Sequence, residues 1–205
     1  MSVDFRTPPR LRDSDLLLRA HRLADAEAVR ERCVDPVSLA WTTIPRDYTR
    51  QMAVEYIERM LSGQEPTWFW ALDVDGEYAG SLDLRFSGLG EDMKPEILRA
   101  REAAARHGGP EPTTTATLGF VMHPAFRGRG LMGRAVRLAV DEVFRQGLVD
   151  RVLWQAAAGN RASFRSVQPA GFPDFIEVPA LLDERGLRLD GWVSVLTRED
   201  WAARR

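Results

Sequence analysis

The chain has one cysteine, Cys33, three histidines and no long apolar run. A single thiol excludes an intrachain disulfide and any cysteine-based metal cluster. His21, His107 and His123 are too few and too scattered for a zinc site, so no metal is expected. No stretch approaches the roughly 18 apolar residues that would span a bilayer. The opening MSVDFRTPPR lacks the apolar segment of a signal peptide. Charge does not lean to one side either. The 28 basic and 30 acidic residues leave a net charge of −2, so no overall field favours nucleic acid or an anionic membrane. The expectation is a cytoplasmic protein with neither of those partners. The 205 residues, 44% apolar and 28% charged, are enough for one well-cored domain but not for two.

Along the chain, residues 1–13 carry Pro8-Pro9 and several charges and read as a tail, leaving 14–205 as the domain. Leu16-Leu17-Leu18 opens a first strand. Apolar positions from Leu23 to Cys33 fit a helical stripe, broken at Asp35-Pro36. Thr49 is placed to cap a helix that runs through Leu61 and ends before Gly63. Thr67–Val74 and Glu77–Phe86 read as strands joined by Asp75-Gly76, a tight-hairpin dipeptide. Residues 87–114 read as an inserted helical excursion between strands. Strand Thr115–Met122, helix Gly130–Gln146, strand Val152–Ala157, a short helix Ala162–Val167 stopped near Pro169, and a final hairpin about Glu184-Arg185-Gly186 complete the order. Strands and helices alternate only in the second half. The expected class is therefore α/β, with a mixed, mostly antiparallel central sheet of about seven strands and flanking helices.

One segment carries chemistry. Residues 120–134 run Phe120-Val121-Met122-His123-Pro124-Ala125-Phe126-Arg127-Gly128-Arg129-Gly130-Leu131-Met132-Gly133-Arg134. A strand, a glycine-rich turn and a helix follow one another without a break. Amides at a helix start have no intrahelical partner, and the helix dipole places positive charge there. Glycines let an oxyanion approach the backbone, so the geometry suits a pyrophosphate. A P-loop would need Lys-Ser/Thr after Gly130, where Leu131-Met132 stands. Gly128-Arg129-Gly130-Leu131-Met132-Gly133 satisfies a dinucleotide fingerprint as a string, yet it lacks the acidic residue on a second parallel strand. A basic capping turn without a ligand is the remaining alternative.

Arg127-Gly128-Arg129-Gly130-Leu131-Met132 resembles the Arg/Gln-x-x-Gly-x-Gly/Ala acyl-CoA motif of the GNAT superfamily, with Met132 in place of the last small residue. Further strings resemble its RimJ/RimL-type branch: Leu118-Gly119-Phe120, His123-Pro124, Asn160 with Ser163, Gly171-Phe172, and Asp190 with Trp192. Upstream, Asp35-Pro36 through Trp41 and Tyr48-Thr49 look similar as well. The matches lie in chain order from about residue 15 to 201.

The resemblance implies a GNAT fold and transfer of an acyl group, most simply from acetyl-CoA, directly to an amine such as a protein N-terminus or a small molecule. It places Phe120, Val121, Met122, residues 127–134, Asn160, Ser163 and Phe164 against acyl-CoA. It implies a slot where strand 115–122 parts from strand 152–157, and Ser163 as the acid for the leaving thiolate. A helix-capping role is the alternative for Asn160 and Ser163. The branch often has Glu where Thr117 stands, and Thr cannot take a proton at neutral pH. Asp83, Glu177 and His123 are the candidate bases, with a solvated strand carboxylate as the plain alternative for Asp83. Trp41, Asp190 and Trp192 are candidate acceptor contacts, and core or slot-wall packing is the alternative for the tryptophans. The branch also implies a homodimer. An acyl-CoA-binding regulator without turnover is the competing function, favoured by Thr117.

Overall fold

The computed structural model describes residues 3–87, 114–184 and 186–205. The expected helical excursion at 87–114 lies, apart from its two end residues, outside the described residues. The described residues hold eight strands: β1 (Leu11–Asp13), β2 (Leu16–Arg19), β3 (Thr67–Val74), β4 (Glu77–Ser87), β5 (Thr115–Met122), β6 (Arg151–Ala157), β7 (Ile176–Glu184) and β8 (Leu187–Thr197). The helices are α1 (Ala26–Val34), α2 (Pro36–Trp41), α3 (Arg50–Ser62), α4 (Leu131–Arg145), α5 (Arg161–Val167) and α6 (Arg198–Ala202). The strands make one sheet in the order β1-β2-β3-β4-β5-β6-β8-β7. Every pairing is antiparallel except β5 with β6, which is parallel.

The segment expected as a tail is built into the fold. Leu11–Asp13 pairs with Leu16–Leu18 as the eighth strand. Ahead of it, the indoles of Trp68 and Trp70 donate to the Asp4 and Pro9 carbonyls at 3.1 and 2.8 Å, and Phe5 packs on Phe86. The 35–41 segment, with no assigned structure in the sequence, is α2. Asp35 caps it by accepting from the Ser38 amide at 2.8 Å, and Pro36 fills its first turn.

Side-chain alternation divides the sheet into two packed faces. On one face Trp70, Leu72, Leu82, Leu84, Ala116, Leu118, Val152 and Trp154 meet the apolar stripe of α4, from Leu131 and Ala135 to Val143 and Phe144. On the other, Ala71 and Tyr78 meet Ala26, Val29, Cys33, Ala53 and Ile57 of α1 and α3. Arg19 is buried at the border, donating to both Asp25 oxygens at 2.8 Å and to Asp73 at 2.7 Å. Among the described residues no helix is long and apolar enough to cross a membrane. No cluster of three or more His, Cys, Asp or Glu among them could hold a metal ion.

One interruption in the sheet positions the site. β5 and β6 pair only over Thr115–Leu118 and Arg151–Trp154. Beyond that point Gly119–Met122 stays with β4, and Gln155–Ala157 stays with β8. The two parallel strands therefore part, and both open ends point the same way. This is the slot expected between strands 115–122 and 152–157.

Candidate active site

The glycine-rich turn stands at the end of β5. His123 Nδ1 accepts from the Ala125 amide at 3.3 Å and starts a 3₁₀ turn, Pro124–Phe126, whose Phe126 enters the core. Gly128 (φ +75°) and Gly130 (φ +71°) are left-handed, a conformation that favours glycine. A Cβ added at either would meet nothing within 4 Å, so open space adjoins the backbone. Gly130 precedes α4 without a side-chain cap, and no acidic residue stands in the first turn. The first amides of this 15-residue helix have no intrahelical partner and have the dipole behind them. Leu131 and Met132 are buried, so the side chain of Met132 points away from the turn. Gly133 lets Pro169 pack on α4, since an added Cβ would lie 3.0 Å from its Cγ.

Of the arginines assigned to this turn, two are turned to carboxylates of the chain itself. Arg134 Nε and Nη1 pair with Asp13 at 3.0 Å and Asp15 at 2.9 Å, across the β1–β2 turn. Asp13 and Asp15 are accordingly held below the usual carboxylate range by the Arg134 hydrogen bonds. Arg127 Nη2 donates to Asp35 Oδ2 at 2.5 Å, to Ser38 Oγ at 2.9 Å and to the Met122 carbonyl at 3.4 Å. Arg129 lies over the Phe126 ring, 5.3 Å from its centroid, and is the one of the three recorded in no ion pair among the described residues.

The slot is walled by aromatics on the α4 side of the sheet. Phe164 of α5 lies 5.5 Å from Trp154 and 4.9 Å from Phe175, which stacks on Trp192 at 4.0 Å. Asn160 caps α5, its Oδ1 accepting from the Ser163 amide at 3.1 Å. Ser163 Oγ accepts from Trp154 Nε1 at 3.0 Å. A hydroxyl that accepts from a fixed indole keeps its own proton to give elsewhere. Trp154 is a residue that sequence reasoning assigned only to a buried strand.

The remaining candidates separate. Trp192 is 5% exposed and its indole donates to Glu177 at 2.9 Å, which makes it slot wall. Asp190 accepts from the Ala180 amide at 2.9 Å, steadying the irregular part of β7. His123 Nε2 lies 3.2 Å from Glu31 of α1, so both ring nitrogens are engaged. Trp41, 42% exposed, ends α2 with its ring 3.9 Å from where a Gly159 Cβ would be.

Asp83 is the candidate base that the fold brings to the slot. It pairs in register with Gly119, the first β5 residue past the parting of the strands. Its side chain is 14% exposed, and Arg85 Nε donates to it at 2.7 Å. A Cβ on Gly119 would lie 2.8 Å from both Asp83 oxygens and 2.3 Å from Arg85 Nη2. Glycine at 119 is what allows this carboxylate to lie over β5 at the apex of the slot. Thr117, two residues back on the same face, is buried, and its Oγ1 has no hydrogen-bond partner among the described residues.

Comparison with known proteins agrees with this fold. Residues 15–173 match the family model described as an acetyltransferase (GNAT) domain. A GNAT-family acetyltransferase from Bacillus anthracis superposes with a TM-score of 0.71 at 14% identity, covering 93% of this chain and 99% of that one. RimL, a ribosomal L7/L12 α-N-protein acetyltransferase solved with coenzyme A, gives 0.70 at 14% identity over 92% and 98%. The Vibrio cholerae spermidine N-acetyltransferase, solved with CoA and spermine, gives 0.67 at 12% identity over 93% and 99%. At such identities these structures speak for the fold, while the family model covers most of the chain: the protein belongs to the GNAT acetyltransferase family.

Proposed function

We propose that the protein transfers an acetyl group from acetyl-CoA directly to a primary amine, either a peptide N-terminus or a small polyamine-like molecule. The observation that carries this reading is the parting of β5 from β6 directly beneath an uncapped, glycine-lined helix start. The first amides of α4 and the Arg129 guanidinium would hold the pyrophosphate, and Phe164 and Asn160 would line the pantetheine path. Acyl-CoA supplies the thioester. The edge of β5 past Leu118 that faces the gap offers backbone donors to its carbonyl oxygen. Asp83 receives the proton that the attacking amine loses, and Ser163 gives its proton to the departing sulfur and regains one from solvent. We also read the protein as cytoplasmic, from its lack of a signal segment or apolar span, and as able to form a homodimer, as the family resemblance implies.

The test is free-thiol release from acetyl-CoA against spermidine and an alanine-initiated peptide, with wild type beside Gly128→Asp. Asp tolerates the left-handed backbone at 128, and it places negative charge where phosphate is expected. Acceptor-dependent release in wild type, with CoA affinity at least tenfold weaker in the variant, supports the reading. CoA binding with no acylation of any amine replaces it with acyl-CoA sensing.

A further inference from the structure

The helix α2 lies across the open ends of the two parted strands. At its start, Asp35 and Ser38 receive the Arg127 guanidinium, which also reaches the last carbonyl of β5 at Met122. At its end, Trp41 lies against Gly159 in the turn that follows β6. Six residues of helix are about 9 Å long, nearly twice the roughly 4.8 Å between paired strands. The helix therefore has the reach to bridge strands that have moved apart. A second tie, His123 to Glu31, joins the same end of β5 to α1. Arg127 occupies the first position of the acyl-CoA motif, yet its head group faces the chain's own carboxylate on the side of the α1–α2 arm.

We propose that Arg127 and Asp35 are positioning residues that pin α2 as a crossbar over the mouth of the slot, so that Trp41 selects which amines pass beneath it. This rests on the acyltransferase reading only for its consequence in catalysis; the pinning itself is a property of the fold. The side chain of Arg127 then contributes little to holding CoA, which falls to the α4 amides and Arg129. An amine narrow enough to lie along the Trp41 ring is accepted, and a bulky one is excluded.

Two nearly isosteric changes test it. Arg127→Gln removes the guanidinium but leaves the helix cap, and Asp35→Asn removes the charge while keeping an Asn that can cap α2. Backbone amide exchange over residues 38–42, read by mass spectrometry, should quicken at least fivefold in both and return to the wild-type rate in Arg127→Lys. CoA affinity should stay within twofold of wild type. KM for whichever of spermidine or the alanine-initiated peptide is turned over should rise several-fold, with kcat changed far less, and Trp41→Ala should reproduce that split. Unchanged exchange at 38–42 in either variant overturns the proposal, whatever CoA does. So does a tenfold or greater loss of CoA affinity confined to Arg127→Gln, which would make the side chain a phosphate ligand. Failure of wild type to bind CoA sinks the functional reading instead, and the exchange measurement separates the two.

Discussion

Replacing Ser163 with alanine separates a chemical role from a structural one, because the structure assigns the two different consequences. Trp154 is 1% exposed and its indole donates to Ser163 Oγ at 3.0 Å. Removing the hydroxyl leaves that buried donor unpaired, a loss of about 1–3 kcal/mol in stability. The cap of α5 survives, since it uses the Ser163 amide and the Asn160 side chain. If Ser163 also protonates the leaving thiolate, kcat should fall by about 10²-fold or more, in the range typical of a general acid, with CoA affinity retained. Trp154→Phe is the counterpart. It removes the donor but leaves the Ser163 proton, so its loss of kcat should stay under tenfold even though it too destabilises the fold. Urea unfolding reads the first quantity and single-turnover thiol release the second. A Ser163→Ala protein that loses the expected stability yet turns over within threefold of wild type would refute the acid role and leave Ser163 as the hydrogen-bond partner of Trp154 alone.

Three further outcomes follow from the buried polar groups. His21, 3% exposed, is pushed by burial, with the nearby Arg32 charge acting in the same direction, down to about 3. The unfolded chain takes that proton near 6.5, so this contribution is complete above that pH and is lost as pH falls below it. Wild type should lose about 1.6 kcal/mol from this residue between pH 6.5 and 5, and urea unfolding of His21→Leu should lack that slope. Asp25→Ala strips Arg19 of its bidentate partner but leaves it Asp73, and should lower stability by about 1.5–3 kcal/mol in the same assay at pH 7. Gly119→Ala forces the Asp83–Arg85 pair away from β5. Turnover should fall at least tenfold with CoA affinity unchanged, and full turnover would remove Asp83 from the mechanism.

Much of the scaffold is legible in the sequence, because short-range signals govern it. Asp75-Gly76 makes the β3–β4 turn with both residues at positive φ. Thr49 and Gly63 bound α3, the first by accepting from the Met52 amide and the second in the left-handed conformation. The stripe from Leu131 to Phe144 is buried as its spacing requires. What escapes is set by distant partners. Leu11–Asp13 is too short to show a period, and is a strand because Leu16–Leu18 lies beside it. Asp35-Pro36 reads as a helix breaker after Cys33, yet the same pair also starts a helix, with Asp as cap and Pro in the first turn. Both meanings are local, and the Arg127 contact is what distinguishes this arrangement.

The site shows the same division more sharply. The turn was legible because glycines at 128 and 130 and an uncapped helix start are backbone properties, fixed within a few residues. The side-chain assignments were not, because a guanidinium is directed by whichever carboxylate folding brings near it. Asp13 lies 121 residues from Arg134, and Asp35 lies 92 from Arg127. The proposed base has the same origin. The position read as its usual place holds Thr117, whose side chain is buried, while Asp83 on the neighbouring strand lies over the slot only because residue 119 has no Cβ. Leu118-Gly119-Phe120, met in the sequence as a mark of resemblance, therefore has a physical reading. Its glycine makes room for a carboxylate from the neighbouring strand, so the proposed base need not stand on β5 itself.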